Sequence, residues 1–203
     1  MQPARSNRER SETTRHALLT AARALFVDKG YAETSTPEIA ASAGTTRGAL
    51  YHHFEDKRAL FRALLEQEAE AVAAEIEAAA VPGLPARDAL MEGSLAYLDA
   101  MTIAGRTRLL LIEGPAVLGG AEIGALDEAH AGRTLRDGLA AAMGGPAREA
   151  LPLPALAVLL SAAFDRAALA IDAGAPPADF KTAMTGLIAC ILGPDDLSGA
   201  PSA

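Results

Sequence analysis

One cysteine, Cys190, leaves this 203-residue chain without an intrachain disulfide or a cysteine-built zinc site, and a reducing cytoplasm suits that usage. Its neighbours Leu187, Ile188, Ala189, Ile191 and Leu192 are apolar, so it is expected as core packing and not as a reactive thiol. Tryptophan is absent and aromatics make up only 4% of the residues. Alanine and leucine carry the apolar half of the chain, and they favour helices over sheets. No stretch alternates with a strand period, and no internal repeat is visible. The charged N-terminus lacks an apolar segment, so no secretory signal is expected. The most apolar run, Leu151–Ile171, is broken by Asp165 and Arg166, and reads as a buried helix and not a membrane span. Paired carboxylates, a nucleophile elbow and a phosphate loop are all missing. The neighbours His52 and His53 diverge by about 100° on a helix and cannot converge on one metal ion. His130, beside Asp127 and Glu128, reads as a surface or pocket residue. No metal and no cofactor are expected.

What the chain does have is an uneven charge. Its net charge is −8, yet residues 1–62 hold ten Lys/Arg against seven acids, a net of +3, and the remainder carries −11. A basic head on an acidic body can bind a polyanion locally. Residues 1–12 are expected as a mobile basic tail, either solvated or adding phosphate or minor-groove contacts through Arg5–Arg10. An amphipathic helix follows from Thr13, with Ala17, Leu18, Ala21, Leu25 and Phe26 on its stripe and Gly30 ending it. Ser35 and Glu38 predict a capping box for a second helix, with Pro37 in its first turn. Gly44 ends that helix, and Thr45-Thr46 start a third over Arg47–His53. Asp56 caps a long fourth helix, from Lys57 to about Ala80. Five further helical segments are predicted near 86–103, 106–113, 121–143, 153–173 and 176–192, followed by a frayed tail over 196–203.

The second and third helices, joined through Ala43-Gly44-Thr45, match a helix-turn-helix. Ala40 lets them approach, and Ile39, Leu50 and Phe54 supply a small core. The other face of helix three stays free for the DNA major groove. Arg47 can pair with guanine O6/N7, Gly48 lets the backbone come close, and Thr45 and Thr46 offer hydroxyls. Tyr51, His52 and His53 offer donors to phosphates, and Lys57 stands at a helix N-terminus that favours one.

The run Thr36-Pro37-Glu38-Ile39-Ala40 … Ala43-Gly44-Thr45-Thr46-Arg47-Gly48-Ala49-Leu50-Tyr51-His52-His53-Phe54-Glu55-Asp56-Lys57 resembles the signature of the Tet repressor (TetR) family, and the likeness covers residues 14–62. The resemblance implies backbone contacts by Thr36, Thr46, Tyr51, His53 and Lys57, and base contacts by Thr45, Arg47, Gly48 and His52. Thr45 departs from the aliphatic residue common there. Leu109–Gly119 is similar to a segment of some C-terminal domains of the family.

The resemblance also implies an all-α chain. An N-terminal three-helix DNA-binding domain (13–62) is joined by a long helix to a helical ligand-binding and dimerisation domain (63–195). Its last two helices would form a four-helix dimer interface. Two broad apolar faces agree: Leu156, Leu160, Phe164, Ala167 and Ile171 on one helix, and Phe180, Met184, Leu187, Ile188 and Ile191 on the next. Tyr97 and Phe164 are the aromatics expected to touch an effector. Met101, with Met91, Leu95 and Leu98, is either core or pocket lining. Arg108 and Glu113 are either polar pocket groups or an ion pair. The implied partners are a double-stranded operator, a small apolar effector and a second copy of the chain, with no membrane. The expected function is a DNA-binding repressor released by its effector. An architectural or activating DNA-binding protein without an effector shares the head, and a helical enzyme with a vestigial head is the remote alternative.

Overall fold

A computed structural model describes residues 7–144 and 151–193. Those residues form α1 (Asn7–Lys29), α2 (Thr36–Ser42), α3 (Arg47–His53), α4 (Lys57–Ala79), α5 (Ala86–Ala100), a π-helical segment (Arg108–Glu113), α6 (Gly114–Leu118), α7 (Gly120–Ala129), α8 (Ala131–Ala142), α9 (Leu153–Asp172) and α10 (Pro177–Leu192). No strand occurs among the described residues. The chain divides into two compact units. One comprises the chain to Ala69 with Ala104–Leu126, and the other comprises Glu70–Ile103 with the chain from Asp127.

The first unit closes on Leu18, Ala22 and Phe26 of α1, Ile39 of α2, Leu50 of α3, and Phe54. Leu60, Phe61, Leu64 and Leu65 of α4 complete it with Leu109. Burial of each large side chain stabilises by about 1.5–3 kcal/mol relative to exposure. Phe26 meets Phe61 edge-on with centroids 5.1 Å apart, and Tyr31 lies 4.9 Å from Phe61. The second unit packs Leu90 and Leu98 of α5 and Leu139 of α8 against Leu160 and Phe164 of α9 and Met184 and Ile188 of α10.

Several sequence expectations change. α1 begins at Asn7, so residues 7–12 are helical and not a tail. Pairs four residues apart extend it: Arg8 with Glu12 at 3.0 Å, and the Thr13 and Thr14 hydroxyls on the carbonyls of Glu9 and Arg10. These polar residues carry no hydrophobic period. Within α4 the two units part after Ala69, and 104–126 packs with the head. α5 stops at Ala100, not 103. The segment expected to end near 113 runs on, because Gly114-Pro115 opens α6. Pro115 has no N–H to donate, and the Gly114 N–H reaches Leu109 O five residues back, which produces the π turn. The single helix expected over 121–143 breaks at His130, whose φ and ψ are −122° and −102°. Ser35 makes no side-chain cap bond. Glu38 still reaches back to the Ser35 backbone N–H, so half of the capping box forms, and it pairs with Lys29 as well. Cys190 is exposed on α10 and not core. The tail expected over 196–203 and residues 1–6 lie outside the described residues.

α9 is long and apolar enough to cross a membrane by composition, with a mean hydropathy of 1.6. It carries Asp165 and Arg166 near its centre, and Ala157, Leu160, Phe164, Ala167 and Ala168 face the core of the second unit.

Candidate nucleic-acid interface and ligand cavity

The turn between α2 and α3 follows from one backbone conformation. Gly44 has φ +64°, and its N–H reaches Ala41 O at 3.0 Å while the Thr45 N–H reaches Ala40 O at 2.9 Å. This closes α2 with a Schellman motif. Thr46 then caps α3, its hydroxyl accepting the Ala49 N–H at 3.1 Å. Leu50 is the buried anchor of α3, so Thr46, Arg47, Gly48, Tyr51 and His52 are left exposed. Thr45, Thr36 and His53 are half-buried.

The exposed side chains are not independent. The Tyr51 hydroxyl lies 3.1 Å from Thr36 Oγ1, and the Arg47 guanidinium stands 5.9 Å from the Tyr51 ring centroid. The bond to Thr36, followed by one to Arg47, draws the Tyr51 phenol below its ordinary value. His52 and His53 are edge-on, 5.4 Å apart. Burial, then the neighbouring His52 and Arg15, lower His53 and favour its neutral form. Arg15 of α1 covers Phe54 at 4.7 Å. Lys57 is half-buried, and its ammonium donates to the carbonyls of Tyr31 at 2.7 Å and Thr34 at 2.9 Å. It also lies 4.1 Å from the Tyr31 ring centroid. Lys57 therefore ties the start of α4 to the α1–α2 loop.

Segment 104–126 is held to this head by charged groups. Glu68, buried on α4, accepts from Arg23 at 2.7 Å and from Arg106 at 3.0 Å. Burial alone would raise its pKa, but the two guanidinium bonds outweigh that and hold it below the ordinary value. Arg108 and Glu113 pair at 2.8 Å. The Arg108 guanidinium donates to Val27 O, and the Glu113 carboxylate accepts the Tyr31 N–H at 2.9 Å. Together they satisfy backbone groups at the end of α1. Gly30, with φ +86°, lies under that pair, where a Cβ would stand 2.7 Å from Arg108 Nη2. These two residues are thus an ion pair in the first unit and not pocket groups.

The second unit contains a cavity of about 160 Å3. Tyr97 and Phe164 line it, whereas Met101 is buried elsewhere in the core. The space exists because α5 offers Ala86, Ala89 and Gly93 and α8 offers Ala131, Thr134, Gly138 and Ala141, small side chains at helical spacing. Asp127 and Ser161 also line it, bonded to each other at 2.9 Å. The Tyr97 hydroxyl donates to Asp165 at 2.6 Å. Asp127 was not singled out as a pocket residue from sequence. Its signal was an acid just before the α7–α8 break, and that break is itself invisible to periodicity.

Of the residues expected in a dimer interface, Leu160, Phe164, Ala167, Met184 and Ile188 are buried within their own unit. Leu156, Phe180 and Ile191 are half-buried against the same core. The apolar side chains left open on α9 and α10 are Val158 (66%), Leu159 (69%) and Leu187 (43%), with Ala155, Ala162, Gly186 and Cys190 beside them. The predicted faces were the inward ones, Leu187 excepted.

A model of bacterial regulatory proteins of the tetR family matches residues 18–64, and one of a tetracyclin repressor-like C-terminal domain matches residues 87–193. The HTH-type transcriptional regulator AcrR of Shigella flexneri is 38% identical over 110 residues, covering 53% of this chain and 51% of AcrR. The HTH-type transcriptional repressor BepR of Brucella suis is 41% identical over 61 residues, 30% of this chain and 29% of BepR. The aligned stretches thus span about half of the first relative and under a third of the second. The fold of the fatty acid degradation regulator FadR of Bacillus halodurans superposes with a TM-score of 0.72 at 12% identity, covering 96% of this chain and 99% of that one.

Proposed function

We propose, because this chain belongs to the tetR family of bacterial regulatory proteins, that it is a cytoplasmic, homodimeric transcriptional repressor that reads an operator with α3 and is released by a small molecule held in the second unit. The observation that carries the reading is the two-sided build of α3. Leu50 anchors one face in the core while Arg47, Gly48, Tyr51 and His52 stand exposed on the other. Arg47 is the base-reading residue. Thr36, Thr46, Tyr51 and His53 hold the phosphates, with Thr45 and His52 beside the bases. Lys57 reaches a phosphate only with the ammonium hydrogen that its two carbonyl bonds leave over. The cavity favours an effector-controlled repressor over a DNA-binding protein without a ligand. An effector acts by binding more tightly to the conformation whose two heads are wrongly spaced for the operator. The open stripes of α9 and α10 form the four-helix contact with a second copy.

Selection of bound duplexes from a random pool by the full chain tests this. A pseudo-palindromic site is expected to emerge, with affinity falling steeply as salt rises. Arg47→Ala should cost about 1–3 kcal/mol on that site and relax preference at one position per half-site. Recovery of no preferred sequence, or equal loss by Arg47→Ala on specific and random duplexes, would sink the reading.

A further inference from the structure

We infer that the cavity of the second unit takes a compact apolar cation, a protonated amine of about one substituted ring, with its charge against Asp127; the inference rests on reading this cavity as the effector site. About 160 Å3 is the scale of a cavity that holds benzene. Five polar side chains line the otherwise apolar wall, Ser94, Tyr97, Asp127, Thr134 and Ser161, and no Lys, Arg or His is among the lining residues.

The four hydroxyls already donate their hydrogens within the protein. Ser94 donates to Leu90 O at 2.6 Å and Thr134 to Ala131 O at 2.7 Å. Ser161 donates to Asp127 at 2.9 Å and Tyr97 to Asp165 at 2.6 Å. A hydroxyl has one hydrogen. The side chains of the wall therefore present lone pairs and a carboxylate, and none has a donor free for a ligand. Anionic or carbonyl ligands would enter an apolar space with nothing to donate to them, the costly way to bury a polar group. A ligand with N–H donors and a positive charge meets the complementary pattern. Tyr97 and Phe164, edge-on at 5.4 Å, add aromatic surface that attracts a cation. The buried negative charge agrees. Burial raises Asp127, with Ser161, the Gly132 N–H and the nearby His130 opposing it. Burial raises Asp165 to about 6 although the Tyr97 hydroxyl opposes it, and the facing Asp127 adds to the rise.

Calorimetric titration of the full chain at neutral pH with 2-phenylethylammonium, 2-phenylethanol and 3-phenylpropanoate tests the assignment. The ammonium should bind, with the alcohol about tenfold or more weaker and the carboxylate not measurable. Asp127→Asn should remove the preference for the ammonium. If that variant fails to fold by circular dichroism, the ligand series on the native chain decides alone. Equal or tighter binding of the alcohol or the carboxylate, or binding by none of the three at millimolar concentration, overturns the inference. Anisotropy of the selected duplex separates this from the function. An ammonium that binds without weakening duplex affinity leaves the ligand class standing and removes the effector reading. Release by a neutral or anionic compound does the reverse.

Discussion

Glu68 ties α1, α4 and segment 104–126 together through one buried carboxylate. Its carboxylate is buried between the guanidinium groups of Arg23 and Arg106, and Arg23 also donates to Ala104 O at 3.2 Å. Removing the charge leaves two cations beside a neutral amide, so Glu68→Gln should lower stability by about 3 kcal/mol at neutral pH. The pH dependence has a definite sign. Glu68 has a folded pKa below its ordinary value of 4.5, so its contribution is fully present above pH 4.5 and lost as pH falls through the folded value. Urea unfolding followed across pH 3–7 should show the native chain and Glu68→Gln converging at the acid end. A constant gap between them would assign the loss to packing instead. Lys57 makes a related point. It was expected as a phosphate contact, but its two carbonyl bonds and the Tyr31 ring give it a structural duty as well. Any loss of DNA binding on its removal must be read against a loss of stability.

At the scale of elements, two glycines end helices under different constraints. Gly44 has φ +64° with open space where a Cβ would stand, whereas Gly30 has φ +86° with Arg108 and Glu113 packed on that side. Gly44→Ala should therefore cost only the left-handed strain, about 1–2 kcal/mol. Gly30→Ala should cost more, because it also displaces the ion pair that satisfies the end of α1. The two urea midpoints, measured side by side, check the order. Equal midpoints would mean that the Arg108–Glu113 pair yields without cost. The same pair shows why segment 104–126 joins the head. Three sets of charged contacts reach it, the third being Glu122 with Arg58 and Arg62.

For the whole molecule, the open question in the fold is what covers α9 and α10. Leu159 is 69% exposed in the single chain, so Leu159→Arg should leave that chain folded while blocking association. Light scattering after gel filtration should show a dimer for the native chain and a monomer for the variant, with unchanged circular dichroism. The monomer should lose operator affinity, since two half-sites must be gripped together. A dimeric Leu159→Arg would move the interface elsewhere.

Local chemistry by itself determined the head. Pro37, Gly44, Thr46 and the apolar residues Ile39, Leu50 and Phe54 act within a few residues of one another, and each has a conformational or packing preference that shows in one sequence. The same locality made the helical segments, and with them the all-α class, legible. Tertiary structure decided the rest. Whether Leu160 or Leu159 faces the core of its unit depends on which side of a helix that is apolar all round over Leu153–Leu160 meets α5 and α8, and both sides look alike in the sequence. Arg108 and Glu113 read equally as pocket groups or as a pair, and only the folded chain attached them to the end of α1, some eighty residues earlier. The cavity is an absence of side chains at the crossing of two small-residue stripes. Its acceptor-only lining arises from where four hydroxyl hydrogens go, and only packed helices set those bonds.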